Sequence, residues 1–467
     1  MPRWFFWVSG IAILTAILLP YPPVKYALFL LFGSIFLSFY GSAPERTLFL
    51  FILGMPVVDL VPPTLIPIPG VNAETILILA LAFAASVSKQ RQSPPHPSSP
   101  FGPPILYYVA IMAISATRSW LAGVDEPGDL FAFLKNQLFF VFLAPISFRL
   151  IYKQSQLRAA LHLIAVTCAL VSVHALWTVR DSVLRGYMLE RNRAAGLVAG
   201  QPNLFGGFLA MMILIFVSLL LSKHITKKER LGYTLTIVAL SGALLMTLSR
   251  GSWLALLLSL AVLALLRGAR AIVFVLVVAL SAPLWLPVKV VERVQHTFQG
   301  KHSTEDQELE DSAQVRVDQW KALPEIVSEA PLLGHGFRTF VSIWGRLSPD
   351  HEPKAAHSTW VEFLAEEGVL GILAYLWLVT TLGWIGFRAW RVRPATLESD
   401  LALGFMCAAL CLMVLDSSGT RFRNREVMAY MWILAGALAR FRAERAAPAR
   451  QEVAVPADGP PAMAPAR

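Results

Sequence analysis

Charge is what this sequence has least of. Only 15% of its 467 residues are Asp, Glu, Lys or Arg, against about 25% in a soluble domain. Cysteine is scarce as well. Cys168, Cys407 and Cys411 each fall inside an apolar run, and the last two stand one helical turn apart, where a disulfide is geometrically poor. Neither a disulfide framework nor a metal-ligand spacing exists, so the cysteines are packing residues. No Gly-rich turn follows a strand-like run, which leaves a nucleotide held on a Rossmann-type loop unsupported. Gly334-His335-Gly336 is too short for that role and follows a helical pattern. No Ser-His-acid set is recognisable. The run Glu305–Asp311 is the one acidic cluster in its loop that suggests a metal, and a solvated surface explains it equally well.

What remains is apolar. Hydrophobic residues make up 56% of the chain and mean hydropathy is +0.59. Runs with few or no charges cover Phe5–Leu19, Val24–Tyr40, Ile105–Ala116, Leu157–Val179, Leu204–Leu221 and Gly232–Leu248. Trp253–Leu266, Ala271–Val288, Val369–Phe387 and Leu401–Leu415 continue the series. A bilayer core takes roughly 20 apolar residues per helix. Weaker runs at Thr47–Leu60, Thr75–Val87, Leu130–Leu150 and Met428–Ala439 bring the expectation to about 12–14 spans. The fold class is therefore an all-α polytopic membrane protein. A signal peptide would end in a small-residue cleavage site; Phe5–Leu19 is followed by Pro20 and Tyr21 instead, so it reads as a retained helix.

Lysine and arginine in short loops set the orientation. With a cytoplasmic N-terminus, one side collects Lys89, Arg91, Arg149, Lys153, Arg158, Lys223, Lys227, Lys228 and Arg230. It also collects Arg267, Arg270, Arg388, Arg391, Arg393 and the tail arginines Arg440, Arg442 and Arg445. The other side receives Arg118–Asp129, Arg180–Asn203, Lys289–Ser358 and Ser417–Glu426. The expected division is transmembrane helices with short loops over 1–288, one large helical periplasmic loop over 289–358, transmembrane helices over 359–441, and a disordered cytoplasmic tail over 442–467.

Two outer segments break the rule that disfavours arginine there. Arg180, Arg185, Arg191 and Arg193 lie in one, and Arg421, Arg423 and Arg425 in the other, with no lysine in either. Arg250 sits where one span turns into the next. Solubility and contact with lipid phosphates is one reading. An anion site is the other, because guanidinium presents a planar fork that matches phosphate oxygens.

The large loop is the only soluble piece big enough to fold. Val315, Val317, Trp320, Leu323, Ile326 and Val327 recur at largely helical spacing, with Pro324 expected to kink or split that helix. Pro331 and Gly334-His335-Gly336 then read as a break and a tight turn. A further helix starts near Ser358 as N-cap and runs through Trp360, Phe363 and Leu364 into the next span. Five of the nine histidines fall in this loop: His296, His302, His335, His351 and His357. His357 stands just before a helix N-terminus on the arginine side. It is either a polar residue beside the cap or a group that exchanges a proton near neutral pH.

Three pieces of the chain resemble the O-antigen ligase/polymerase superfamily of membrane glycosyltransferases. They are Ser249-Arg250-Gly251, then Arg316, Trp320 and Pro331-Leu-Leu-Gly-His-Gly336-Phe337, then His357-Ser358, Glu362 and Glu366-Glu-Gly368-Val-Leu-Gly371. Arg191 and Gln201-Pro-Asn203 add to the likeness, which covers about residues 190–390. The residue after the histidine is commonly asparagine in the superfamily and is Ser358 here.

The resemblance implies a GT-C-like fold and inverting transfer without metal or other cofactor. The donor is a glycan on undecaprenyl pyrophosphate, delivered to the periplasmic leaflet of the bacterial inner membrane. In the ligase branch the acceptor is the lipid A–core saccharide and the product is lipopolysaccharide. Membrane lipids are partners and nucleic acid is not. On this reading Arg191, Arg250 and Arg316 serve the pyrophosphate, Arg193 is a further substrate contact, and His357 takes the acceptor's proton or orients the acceptor. His335 and Arg338 are second choices for contacting substrate, and Glu366 orients a partner or pairs with an arginine. A polymerase using a second lipid-linked glycan, an O-linked protein glycosyltransferase and an anion transporter remain as alternatives. The transporter draws on Lys135, His162 and His174 inside spans, but no internal repeat accompanies them.

Overall fold

The computed structural model describes residues 44–56, 72–87, 99–184, 193–196, 200–285, 304–347, 355–392 and 395–453. These residues form helices and no strand. In chain order the helices are α1 (Pro44–Gly54), α2 (Ala73–Val87), α3 (Gly102–Leu121) and α4 (Pro127–Leu138), then α5 (Leu143–Leu150), α6 (Gln154–Leu184), α7 (Pro202–Leu220) and α8 (Lys227–Met246). They continue as α9 (Arg250–Arg267), α10 (Ala269–Trp285), α11 (Thr304–Glu329) and α12 (Phe340–Leu347), and end with α13 (Thr359–Glu366), α14 (Gly368–Trp390), α15 (Leu397–Asp416) and α16 (Arg425–Val453). Six helical stretches among the described residues are long and apolar enough to cross a membrane: 127–150, 154–183, 202–220, 250–267, 368–390 and 397–416. The chain is an all-α, multi-pass membrane protein. The runs Phe5–Leu19 and Val24–Tyr40 lie outside the described residues.

Helix α7 and helix α15 form the middle of the bundle, and each is buried on nearly all sides. A helix that is apolar all round needs such a place. They meet closely at Gly404, where an added Cβ would lie 2.7 Å from Ser218 Cβ. Small residues at a contact let backbones approach and dispersion forces accumulate. Helices α14 and α9 pack on α15, α8 and α6 pack beyond α7, and α16 lies along α5. Chain direction alternates, so one end of the bundle collects the C-termini of α3 and α15 with the N-termini of α7, α9, α14 and α16. The opposite end is tied by Arg267–Asp400 at 2.8 Å, Arg158–Glu229 at 2.6 Å and Arg445–Glu398 at 3.1 Å. Several basic residues assigned from sequence to one side of the membrane therefore gather at one end.

Caps explain where several helices begin. Thr226 and Glu229 form a reciprocal capping box for α8, as Thr396 and Ser399 do for α15. Proline opens α4 and α7, where its missing N–H would have been unpaired anyway. The apolar run at 130–150 is not one smooth helix, because a 3-10 turn at Phe139–Phe142 joins α4 to α5. Helix α16 runs on through 442–453 of the segment expected as a tail, and 454–467 lie outside the described residues.

The large loop has its own small core. Leu323 and Ile326 of α11, Phe340, Ile343 and Trp344 of α12, and Ala356, Val361 and Ala365 pack together. Helix α11 is not split at Pro324. The carbonyl that proline leaves without its helical donor belongs to Trp320, an exposed residue, so water can satisfy it. The helix expected to run from Ser358 into the next span is interrupted. Helix α13 ends at Glu366 and α14 starts at Gly368, whose φ of +67° is left-handed.

Candidate active site

The break at Gly368 exists because two chain segments meet there. Gly334 N–H donates to Ala330, His335 N–H to Ala365 and Gly336 N–H to Glu366. Val369 and Leu370 N–H donate back to Pro331 and Leu332. A Cβ on Gly334 would lie 2.4 Å from the Glu366 carbonyl, and one on Gly368 would lie 2.6 Å from Gly334 N. Gly334 has a φ of +62°, so glycine is required here for both space and conformation. Ser119 at the end of α3 donates to Phe337 O at 2.6 Å, which locks this turn to the bundle.

Behind the turn, Arg423 is enclosed by three carboxylates. Its guanidinium reaches Glu366 at 2.9 Å and Glu362 at 3.2 Å, and bonds Glu367. It also lies over the Phe363 ring, 4.1 Å from the centroid. Burial alone would lower the Arg423 pKa, but Glu362, Glu367 and Glu366 outweigh it and hold the guanidinium well above its usual value. The cost falls on the acids. Burial pushes Glu362 up to about 7 and Glu367 well above the carboxylate range, with Arg423 opposing both and neighbouring carboxylates adding to both. Glu362 Oε2 is buried without a hydrogen-bond partner among the described residues. Arg423 is a structural ion-pair centre.

Arg421, two residues earlier, is in a different position. Its side chain is 2% exposed and donates through Nη1 to Leu415 O at 2.6 Å, while Nε has no hydrogen-bond partner among the described residues. The nearby carboxylate, Asp416, already accepts from Thr359 Oγ1, Tyr375 Oη and the N–H groups of Arg421 and Phe422. Burial pulls the Arg421 pKa down to about 10; Asp416 opposes the fall and the charge of Arg316 adds to it. Arg316 on α11 is depressed by burial too, and its Nε is likewise buried without a partner. Arg421 and Arg316 thus bring two positive charges close together, with one carboxylate, Asp416, beside Arg421. An incoming anion would complete that balance.

The turn at 417–424 gathers the other candidates around this pair. Thr359 N–H donates to Gly419 O at 3.2 Å, and Ser358 Oγ to Asp416 O at 3.1 Å. Ser358 occupies the expected N-cap position of α13, but its hydroxyl bonds Asp416 instead of capping the helix. His357 N–H donates to Gln319 Oε1 at 3.0 Å, and Gln319 lies one turn along α11 from Arg316. A Cβ on Gly251 would meet Ser418 Oγ at 3.1 Å, so the first turn of α9, headed by Arg250, packs on the same segment. Arg193 donates to Thr247 O and Asn203 Oδ1, both at 2.7 Å, and braces the turn before Arg250. Arg191 lies outside the described residues.

The remaining candidates are engaged by other groups of the protein. His335 Nε2 pairs with Ile326 O at 2.9 Å, and Glu366 belongs to the Arg423 brace. Arg338 stands 2.8 Å from Asp125 and over Phe133, 3.4 Å from its centroid. It is one of two non-glycine residues with positive φ among those described, a conformation that costs about 1–3 kcal/mol. Arg425, in the same outer loop, pairs with Glu74 at 2.6 Å. Sequence reasoning had flagged the loop arginines as a group but had not separated Arg421 from the paired Arg423 and Arg425. Asp416 carried no signal beyond its place at a helix end.

Residues 235–376 match the family model described as O-antigen ligase. This ligase-type domain match covers 142 of the 467 residues. No curated protein matches the chain. The ligase-type domain contains Arg250, Arg316, His335, Arg338, His357 and Glu366. The flanking α7, the end of α15 and the 417–424 turn supply Asn203, Asp416 and Arg421, so the polar centre joins that domain to helices on both sides of it.

Proposed function

We propose that the protein transfers a glycan from undecaprenyl pyrophosphate to the lipid A–core saccharide, at the extracytoplasmic face of the inner membrane. The observation that carries this reading is the convergence of Arg250, Arg316 and His357 on one turn, all three inside the ligase-type domain. The pyrophosphate is a good leaving group already. What the protein must supply is fixed positive charge where negative charge grows as the glycosidic bond breaks. Arg250 and Arg316 provide it directly, Arg193 and buried Arg421 add their charge, and Arg191 takes the same role on the resemblance alone. The acceptor hydroxyl attacks the anomeric carbon and loses its proton to His357, or is oriented by it. The bond to pyrophosphate breaks as the new bond forms, which inverts the anomeric centre, and no metal is required.

The test is the product. Purified protein in lipid nanodiscs, given lipid-linked glycan and lipid A–core, should yield glycan joined to core and free undecaprenyl pyrophosphate. A deletion strain should accumulate lipid-linked polymer with a bare core. A core bearing one repeat unit in that strain would instead identify a polymerase, and transfer to a secreted protein would identify a protein glycosyltransferase.

A further inference from the structure

An open cleft of about 530 Å³ lies where the 122–126 turn after α3 meets α12, and its walls include Asp125, Arg338, Ser342 and Arg346. It holds two guanidiniums against one carboxylate. Arg346 is exposed and has no ion-pair or hydrogen-bond partner among the described residues. Arg338 is held in place by Phe133 beneath its guanidinium and by Asp125 beside Nε. Asp125 Oδ2 is buried against that guanidinium, while the side chain as a whole stays 25% exposed. The cleft is also tied to the polar centre: Phe340 N–H, at the head of α12, donates to Glu366 Oε1 at 3.3 Å.

A partly exposed carboxylate, a fixed guanidinium and a hydroxyl match the hydroxyls of a sugar. A second, uncompensated guanidinium at the rim matches an anionic substituent. We propose that this cleft binds an anionic saccharide of the acceptor, meaning a sugar that carries a phosphate or carboxylate group. Asp125 accepts from sugar hydroxyls, Arg338 donates to ring or hydroxyl oxygens, and Arg346 pairs with the anionic group. This assignment rests on the transfer function proposed above.

The experiment measures binding and turnover separately on the full chain in nanodiscs of uncharged phosphatidylcholine. The binding probe is the deacylated lipid A–core saccharide, with its phosphates intact or removed. Wild type should bind the phosphorylated form about tenfold more tightly, and Arg346→Gln should erase that preference. Arg346 is exposed and unpaired, so the variant is expected to fold; Asp125→Asn should weaken both forms. In turnover, Arg346→Gln should raise the KM for acceptor by about tenfold while kcat and the KM for lipid-linked donor stay within about twofold. Equal binding of both saccharides by wild type and Arg346→Gln would overturn the proposal while leaving transfer intact. Competition by phosphatidylglycerol vesicles as strong as that by the saccharide would overturn it too, by assigning the cleft to lipid headgroups. Binding as proposed without any glycan transfer would sustain the cleft and refute the transfer function instead.

Discussion

Arg421 and Arg423 lie in one short turn, are both buried, and are matched by opposite environments. Arg423 has three carboxylates and an aromatic face. Arg421 has one backbone oxygen, a carboxylate already taken by other donors, and a second arginine nearby. A buried charge is tolerable when it is paired and hydrogen-bonded. The first environment meets that condition and is rigid. The second sets one carboxylate, bonded by neutral donors, beside two positive charges, and an incoming anion would balance the excess. On the proposed function, the difference separates an arginine that holds the helices from arginines that serve the donor's phosphates.

Removing the paired member should have the largest effect. Arg423→Met leaves Glu362, Glu366 and Glu367 facing one another without a counterion, a change that costs about 3–5 kcal/mol when a buried pair is broken. Little folded protein should be recovered, as read by size-exclusion profile and thermal unfolding in detergent. Arg421→Met should unfold at a temperature much nearer wild type, because Asp416 keeps three other residues as donors. Equal loss for both would erase the contrast.

The next effect tests chemistry with the fold preserved. His357→Ala should slow transfer by about 10²–10⁴ with binding of a lipid-pyrophosphate analogue nearly unchanged. The backbone N–H that holds this residue to Gln319 is retained in the variant. Wild-type turnover would make His357 a structural residue, and loss of donor binding would make it a phosphate ligand. Smaller effects are expected from Arg250→Lys and Arg316→Lys, which keep charge and lose the fork. Each should lose about ten- to hundredfold in turnover, since charge-assisted hydrogen bonds contribute about 1.5–3 kcal/mol. An unchanged rate would show that field strength alone, not bidentate geometry, is what those positions provide.

Which arginines fall into which class was not legible in the sequence. The membrane fold was, because long apolar runs and loop charges depend on neighbours in the chain. So was the turn at Gly334-His335-Gly336, since positive φ selects glycine locally. Arg423 meets its partner Glu366 across 57 residues, and nothing within the loop distinguishes it from Arg421. The groups that engage Arg338 and His335, Asp125 and the Ile326 carbonyl, were hidden for the same reason: they become neighbours only after folding. The interruption at Gly368 was missed because the segment Ser358–Phe387 is helical in pattern throughout. Only the closeness of Gly334 to the Glu366 carbonyl shows why it must break.

The smallest expected effect probes the Arg423 brace without removing its cation. Three carboxylates share one guanidinium, so the acids carry more negative charge than Arg423 cancels, and burial holds Glu362 up to about 7 and Glu367 higher still. In the unfolded chain a glutamate titrates near its ordinary value, about 4.3. Between that value and about 7 the folded protein therefore binds more protons than the unfolded one, and stability must fall as pH rises. The contribution is fully present below the unfolded pKa and is lost as pH climbs through the folded one, opposite to an ordinary salt-bridged carboxylate. Thermal unfolding of wild type in detergent should thus shift down by a few degrees between about pH 5 and pH 8. Glu362→Gln keeps the shape and mimics the protonated acid, so it should flatten that slope and raise the unfolding temperature at pH 8. A wild-type curve that rises over the same interval would mean that Arg423 fully neutralises its acids, and the brace would then resemble a simple salt bridge. An unchanged slope in Glu362→Gln would instead assign the titration to Glu367, the more deeply enclosed of the two.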